Sequence, residues 1–384
     1  MTEWKEYKFS DFVDINPSVK IPKGIPVSFV EMKDLDCSVR YCESSQLKEL
    51  SGGSRFMNGD TLFARITPCL ENGKICQVRN LKNAYGFGST EFHVFRGKEG
   101  VSDNDFVYYL SRWDEVRDFA EHNLEGSSGR QRVSKEAFDN LFLILPPLPT
   151  QRRIASILSS LDDKIDLLHR ENATLEQMAE TMFRQWFVVE RKEEWEEGTV
   201  ADLIEFNPTR KLAKGSIVPF LEMSSLSTST YSPTYWYNRA FSSGSKFQNG
   251  DTLLARITPC LENGKTAYVD FLNENQVGWG STEFIVMHSK LGIHSFFSYV
   301  IAKYQDFRDY AESCMSGSSG RQRVDVDNLK NYPINIPDRT AIAHFNSEID
   351  TMVSKMNNNN KQIQTLIQMR DGLLPRLMSG EIKL

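Results

Sequence analysis

The chain carries one passage twice. Residues 58–74 read NGDTLFARITPCLENGK and residues 249–265 read NGDTLLARITPCLENGK, differing only at Phe63 and Leu254. GSSGRQRV at 126–133 returns unchanged at 317–324, and GSTEF at 88–92 returns at 280–284. The offset holds at 191 or 192 from the pairs Asn16-Pro17 and Asn207-Pro208 onward. A period that long exceeds any stacked-repeat unit, so the chain must fold as a duplicated domain. Two like modules suit a partner with two-fold symmetry, and duplex DNA is the most common polymer with local dyads.

With 384 residues there is room for two ordinary cores and connecting structure. An apolar content of 40% is that of a globular chain. No run approaches a membrane span, and the opening MTEWKEYKFSDF lacks an apolar signal region, so a soluble cytoplasmic protein is expected. The six cysteines form no CxxC pair, which predicts reduced thiols and no metal site.

Charge argues against indiscriminate phosphate binding. The chain carries a net −6, and residues 151–197 account for 7 basic against 11 acidic side chains. Residues 1–150 hold 19 against 22 and residues 198–338 hold 13 against 14, so each module is near neutral. Any contact with DNA must come from local patches, for which Arg55, Arg65, Lys74, Arg130 and Arg132 are candidates, with Lys246, Arg256, Lys265, Arg321 and Arg323 in the second copy.

Proline closes each module, at Pro146-Pro147 and Pro149 in the first and Pro337 in the second. A helix is expected after each. Ile154, Leu158, Leu161, Ile165, Leu168, Asn172, Leu175, Ala179, Met182 and Trp186 follow at alternating spacings of four and three. That is a coiled-coil seam. The pattern returns as Ile342, Ile349, Val353, Met356, Asn360, Ile363, Ile367 and Leu374, with Asn346 and Arg370 as departures. Asn172 matches Asn360, and in an antiparallel pair the two amides could meet and fix the register. In an otherwise apolar seam, leucine at both positions would raise stability. Two separate amphipathic helices packed on their own domains would show the same pattern.

The modules read as mixed α and β. Strands are expected at residues 61–66, 91–95 and 141–145, and one helix at 105–121, with its counterpart at 296–312.

Two repeated blocks carry candidate contacts. Arg65, Thr67 and Lys74, with Arg256, Thr258 and Lys265, could face DNA around a turn or could be scaffold, since Asn-Gly makes a tight turn and Pro68 ends a strand. In GSSGRQRV, Ser127, Ser128 and the glycines allow close backbone approach to phosphate. Arg130, Gln131 and Arg132 supply a guanidinium fork for guanine and an amide for adenine. Ser318, Ser319, Arg321, Gln322 and Arg323 repeat the set. Base selectivity should lie where the copies diverge, at residues 31–57 against 222–248 and at 75–87 against 266–279.

Catalytic signatures are absent. No GxxxxGK[ST] loop occurs, Asn16-Pro17 and Asn207-Pro208 are followed by Ser18 and Thr209 instead of Pro-aromatic, and no histidine recurs at a matching position. No catalytic or metal-binding residue is therefore expected.

Module, long helix, module, long helix resembles the specificity (S) subunit of type I restriction–modification systems. The resemblance rests on the junction LPPLPTQRRIASILSSLDDKI, on Gly-Asp-x-Leu-x-x-Arg at 59–65 and 250–256, and on the tail LLPRLMSGE. The second junction, IPDRTAIAHF, departs from it in lacking Gln-Arg-Arg. The resemblance implies an α+β chain with a target recognition domain at 1–147, a central helix at 148–192, a second recognition domain at 193–337 and a C-terminal helix at 338–384. It further implies a pseudo-two-fold antiparallel coiled coil, each domain reading half of a bipartite DNA target. Modification subunits and restriction subunits would dock on the chain, and they, not this chain, would hold AdoMet, ATP and Mg²⁺. A non-catalytic adaptor that binds proteins through its modules is the alternative reading.

Overall fold

The computed structural model describes residues 4–22, 24–127, 129–318 and 320–384. It divides into two compact units, Met1–Leu167 with Ile363–Leu384, and Leu168–Gln362.

In the first unit a five-stranded sheet runs in the order Val13–Ile15, Phe92–Gly97, Thr61–Ala64, Ile75–Val78, Tyr41–Cys42. A four-stranded sheet runs Gln46–Lys48, Val27–Val30, Tyr85–Gly88, Ser54–Met57. The second unit repeats the plan. One sheet runs Ile204–Phe206, Phe284–Ser289, Asp251–Ala255, Thr266–Tyr268, and the other Tyr237–Ala240, Ile217–Leu221, Gly278–Gly280, Ser245–Phe247. Thr61–Ala64 and Asp251–Ala255, from the repeated NGDTL passage, are buried along their whole length because both faces of the sheet are covered, Phe63 and Leu62 entering different cores, as do Leu254 and Leu253. The turn before each Ser54 or Ser245 strand needs glycine. A Cβ on Gly53 or Gly244 would come within 1.9 or 2.1 Å of the carbonyl oxygen of Gly88 or Gly280, and both glycines have positive φ.

Where one helix is expected over 105–121, the structure has two, Asn104–Arg112 and Asp114–His122, broken at Trp113 with φ −68° and ψ 137°. Phe296–Lys303 and Gln305–Ser313 break in the same way at Tyr304. Neither break carries Gly or Pro. The aromatic side chain packs on the module core in both units, so tertiary packing overrides helix propensity.

The long helices span Leu148–Phe183, continued by a π-helical turn at Arg184–Val189, and Arg339–Met378. In the first unit Ile154 and Leu158 share a core with Leu374, Leu377 and Met378. In the second, Ala179, Phe183 and Phe187 share one with Phe345, Ile349, Val353 and Met356. In the second unit Asn172 meets Asn360 and Trp186 meets His344, and in the first Asp162 meets Arg370 while Ile154 shares a core with Leu377, so within each unit the segments run antiparallel. Each fully buried side chain of this kind contributes roughly 1.5–3 kcal/mol over exposure, which binds the helix ends to the modules.

The seam is more polar than its heptads suggest. Asn172 Nδ2 donates to Asn360 Oδ1 at 3.1 Å, and Asn359, fully buried, donates to Asn172 Oδ1 at 2.8 Å. Asn360 Nδ2 lies 2.7 Å from the Tyr231 hydroxyl, 2.8 Å from Ser232 Oγ and 3.1 Å from Asp270 Oδ2. Burial pushes the Asp270 carboxyl up, against hydrogen bonds from Tyr231 and Asn360 that favour its anion. The apolar seam on which the expected stabilisation by leucine rested is not present at Asn360, whose amide serves a buried carboxyl group. Asn346, a departure from the heptad, accepts from His294 N–H and donates to the Gly292 carbonyl. No helix among the described residues is long and apolar enough to cross a membrane.

Candidate nucleic-acid interface

The three repeated blocks of each module converge on one arginine. Arg65 follows the Thr61–Ala64 strand; its N–H donates to the Glu91 carbonyl at 3.0 Å, and its own carbonyl accepts from Val133 N–H at 3.0 Å. Thr67 N–H donates to the Gln131 carbonyl, and Gln131 N–H donates to Thr67 Oγ1 at 3.1 Å. A β-bridge joins Ile66 to Arg132. The second module repeats the junction with Arg256, Glu283, Val324, Thr258 and Gln322, and its bridge joins Ile257 to Arg323.

Across this junction lies a paired carboxylate and guanidinium. Arg132 Nε and Nη2 donate to Glu91 at 2.9 and 2.7 Å, while Nη1 donates to the Arg130 carbonyl at 3.1 Å. Arg323 grips Glu283 at 2.9 and 2.7 Å. The hydrogen bond from Arg132 holds the Glu91 carboxyl below its usual range. In return, Glu91 and Glu283 raise the guanidinium groups of Arg132 and Arg323 above theirs. Arg132 and Arg323 thus act as clasps that tie the GSSGRQRV loop to GSTEF. Arg130 stays exposed beside its clasp.

The remaining candidates divide between scaffold and open surface. Lys74 Nζ donates to the Met32 carbonyl at 2.8 Å and Lys265 Nζ to the Met223 carbonyl at 2.9 Å, so both ammonium groups hold the module together. Ser127 and Ser318 are exposed. Ser128 and Ser319 lie outside the described residues. Asn172 and Asn360 belong to the helix pair and take no part in this junction.

Arg256 connects two open clefts in the second unit. One, of about 480 Å³, is lined by Arg256, Arg323, Ser316 and Asp327 among others. The other, of about 310 Å³, is lined by Arg256, Lys246, Arg210 and Thr282, together with Asn207-Pro208. Arg256 Nη2 donates to the Val324 carbonyl at 3.0 Å, while its Nε is buried without a hydrogen-bond partner, as is Nε of Arg65. Arg256 is therefore the basic group that the two clefts share, with Lys246 in one and, in the other, Arg323 held by Glu283 beside Asp325 and Asp327. Arg210, in the Lys246 cleft, is paired: Nη2 donates to Asp251 at 2.6 Å and Nη1 to Gln248 at 2.6 Å. The first unit satisfies the matching Asp60 from a strand, through Arg96 at 2.6 and 2.7 Å, where the second has His288 Nδ1 2.8 Å from Asp251. Burial raises the Asp60 carboxyl, and the Arg96 hydrogen bond opposes that rise.

Sequence reasoning missed Glu91 and Glu283. The available signal was a carboxylate repeated at a fixed place in both GSTEF blocks. Among the described residues no cluster of His, Cys, Asp or Glu is placed to hold a metal.

A duplicated α/β module joined to long helices defines a class of chains built on a repeated frame. Residues 1–177 and 192–367 match the family described as type I restriction modification DNA specificity domain, and the chain belongs to that family. It is 31% identical over 193 residues to the type I restriction enzyme HindI specificity subunit of Haemophilus influenzae, covering 49% of this chain and 41% of that one. It is 28% identical over 188 residues to the EcoEI specificity subunit of Escherichia coli, covering 47% and 32%. The aligned stretch therefore spans less than half of either relative. The crystal structure of a type I restriction–modification S subunit from M. genitalium shares the fold, with a TM-score of 0.52, 13% identity and coverage of 98% and 96%.

Proposed function

We propose that this chain is the DNA-recognition subunit of a type I restriction–modification complex, that each module reads one half of a bipartite target, and that the long helices set the unread spacer. Modification and restriction subunits dock on it and bring AdoMet, ATP and Mg²⁺, while the chain itself carries no catalysis. The observation that carries this reading is the junction at Arg256, shared by two clefts and built from blocks that recur around Arg65 in the other module. Phosphate contacts would position each module, and side chains that differ between the copies would select bases.

The test is a salt titration of duplex binding by the chain assembled with its modification subunits, followed by mapping of methylated sites. Recognition gives log K that falls linearly with log salt and a defined bipartite site. Salt-independent association with no sequence preference would instead favour the protein-binding adaptor. That second reading draws on the net −6 and on Phe142 and Ile144, which stand 57% and 62% exposed on one strand.

A further inference from the structure

The identical loops cannot by themselves distinguish two half-sites, and their Arg132 and Arg323 are held by carboxylates. Discrimination needs donors that occupy equivalent positions yet differ in chemistry. The second sheet of each unit supplies such a position on its edge strand. In the first unit Phe29 pairs with Gln46 and Val27 with Lys48. In the second Phe220 pairs with Tyr237 and Val218 with Arg239, in the same register.

Directly opposed residues on neighbouring strands project to one face. Tyr237, Phe220, Trp279 and Lys246 therefore form a single row across the sheet, and Gln46, Phe29, Phe87 and Arg55 form its counterpart. Two residues along the edge strand, and so on the same face, stand Arg239 and Lys48. Lys246, at the far end of the row, lines the cleft that also holds Arg256. The edge-strand cation thus lies on the face that leads to the cleft shared by Lys246 and Arg256.

At this position the two units differ in chemistry. Lys48 Nζ sits 3.9 Å from the Phe29 ring centre and 3.5 Å from Glu31 Oε1. Arg239 is exposed, its guanidinium carbon 4.8 Å from the Phe220 ring centre and 5.7 Å from that of Trp279. The carboxylate that would match Glu31, that of Glu222, accepts instead from the Tyr237 hydroxyl at 2.6 Å. No ion pair of Arg239 occurs among the described residues. One of its donors faces the Tyr237 hydroxyl, and a guanidinium has five. Aromatic rings support the group while leaving donors available, the state required for a two-pronged contact to guanine O6 and N7. Lys48 instead presents a single ammonium shared with Glu31, a donor of different geometry from the guanidinium fork.

We infer that Arg239, and at the matching station Lys48 with Glu31, are specificity-determining residues, Arg239 selecting a guanine in the half-site read by the second module. This rests on the DNA-recognition reading above. It also makes the two half-sites unlike at this position.

The experiment selects bound duplexes from a randomised library with the full chain assembled with its modification subunits, comparing wild type, R239A, R239Q and K48A. In R239A and R239Q preference for guanine falls roughly tenfold to a hundredfold at one position of one half-site, and the other half-site is unchanged. K48A alters the opposite half-site only. R239Q keeps the side-chain stem over Phe220 and so remains informative if R239A melts early. A wild type that selects a site, with both half-sites untouched in every variant, overturns the inference and leaves DNA recognition standing. A wild type that selects no sequence removes the recognition reading, and this inference with it.

Discussion

Arg370 Nη1 donates to Asp162 Oδ1 at 2.8 Å, with the two side chains only 5% and 2% exposed. Asp162 Oδ2 also accepts from the Tyr109 hydroxyl at 2.6 Å, so the pair ties both long helices to a helix of the first module. A buried ion pair adds little net stability, yet removing one partner strands the other charge. R370L should therefore destabilise the first unit by roughly 3–5 kcal/mol, and D162L/R370L should recover part of that stability. Denaturant midpoints check this; an R370L midpoint equal to wild type would mean that the pair does not carry buried charge.

The sequence makes the long helices legible because their heptads are regular, and the duplication legible because whole blocks are copied. It shows Arg370 only as a break in the apolar pattern, since its partner lies 208 residues away at a position off the seam. Asn359 is hidden for the same reason, one place beside the seam residue Asn360. The breaks at Trp113 and Tyr304 are not written in local propensity either, because core packing creates them. In the candidate interface the repeated arginines could be found by eye, but whether each is open or clasped depends on Glu91 and Glu283, which approach from another part of the module.

Replacing Asn360 tests the polar part of the helix pair. N360L removes the donor to Asp270 and the hydrogen bonds to Tyr231 and Ser232. A buried group left without its partner costs about 1–3 kcal/mol, more than one extra apolar side chain in the seam returns. The melting temperature should fall. A rise would show that the amide faces an apolar surface in solution.

His93 gives the first unit an acid-sensitive element with no histidine at the matching position of the second. Burial lowers its pKa to about 4, and its ring nitrogens meet Asn16 and the Val133 carbonyl, the latter at 2.9 Å. The equivalent residue on the paired strand of the second unit is Ile285. A histidine whose folded pKa lies below the unfolded value takes up its proton more readily in the unfolded chain. Its contribution is fully present above pH 6.5 and disappears as pH falls toward 4, by roughly 3 kcal/mol in all. Urea midpoints at pH 7 and pH 4.5 should therefore differ more for wild type than for H93I. Equal differences would place the titration elsewhere.

Arg130 and Arg321 should act on DNA without acting on folding. R130A/R321A should lower the slope of log K against log salt by about one for each phosphate that is no longer neutralised, with an unchanged melting curve. E91Q/E283Q releases the clasps and should weaken binding through loop disorder, with the hydrogen exchange of residues 129–132 rising. Affinity and salt slope equal to wild type in the arginine variant would assign GSSGRQRV to scaffold.

The final prediction follows from the duplication and the helices together. Modules that share their repeated blocks should dock on DNA in the same way, so under the proposed bipartite reading the half-sites resemble each other as inverted repeats. They depart where residues 31–57 and 222–248 differ, Lys48 and Arg239 included. If the helices set the spacer, adding four residues after Leu168 and four after Met356 extends each by roughly 6 Å. Against about 3.4 Å per base pair, the unread spacer should lengthen by about one to two base pairs while the half-sites stay the same. Mapping methylated sites for both chains reads the two parts at once. A spacer indifferent to the insertion, in a chain that still folds and still methylates, would detach the helices from spacing, and half-sites without shared inverted bases would detach the duplication from the target.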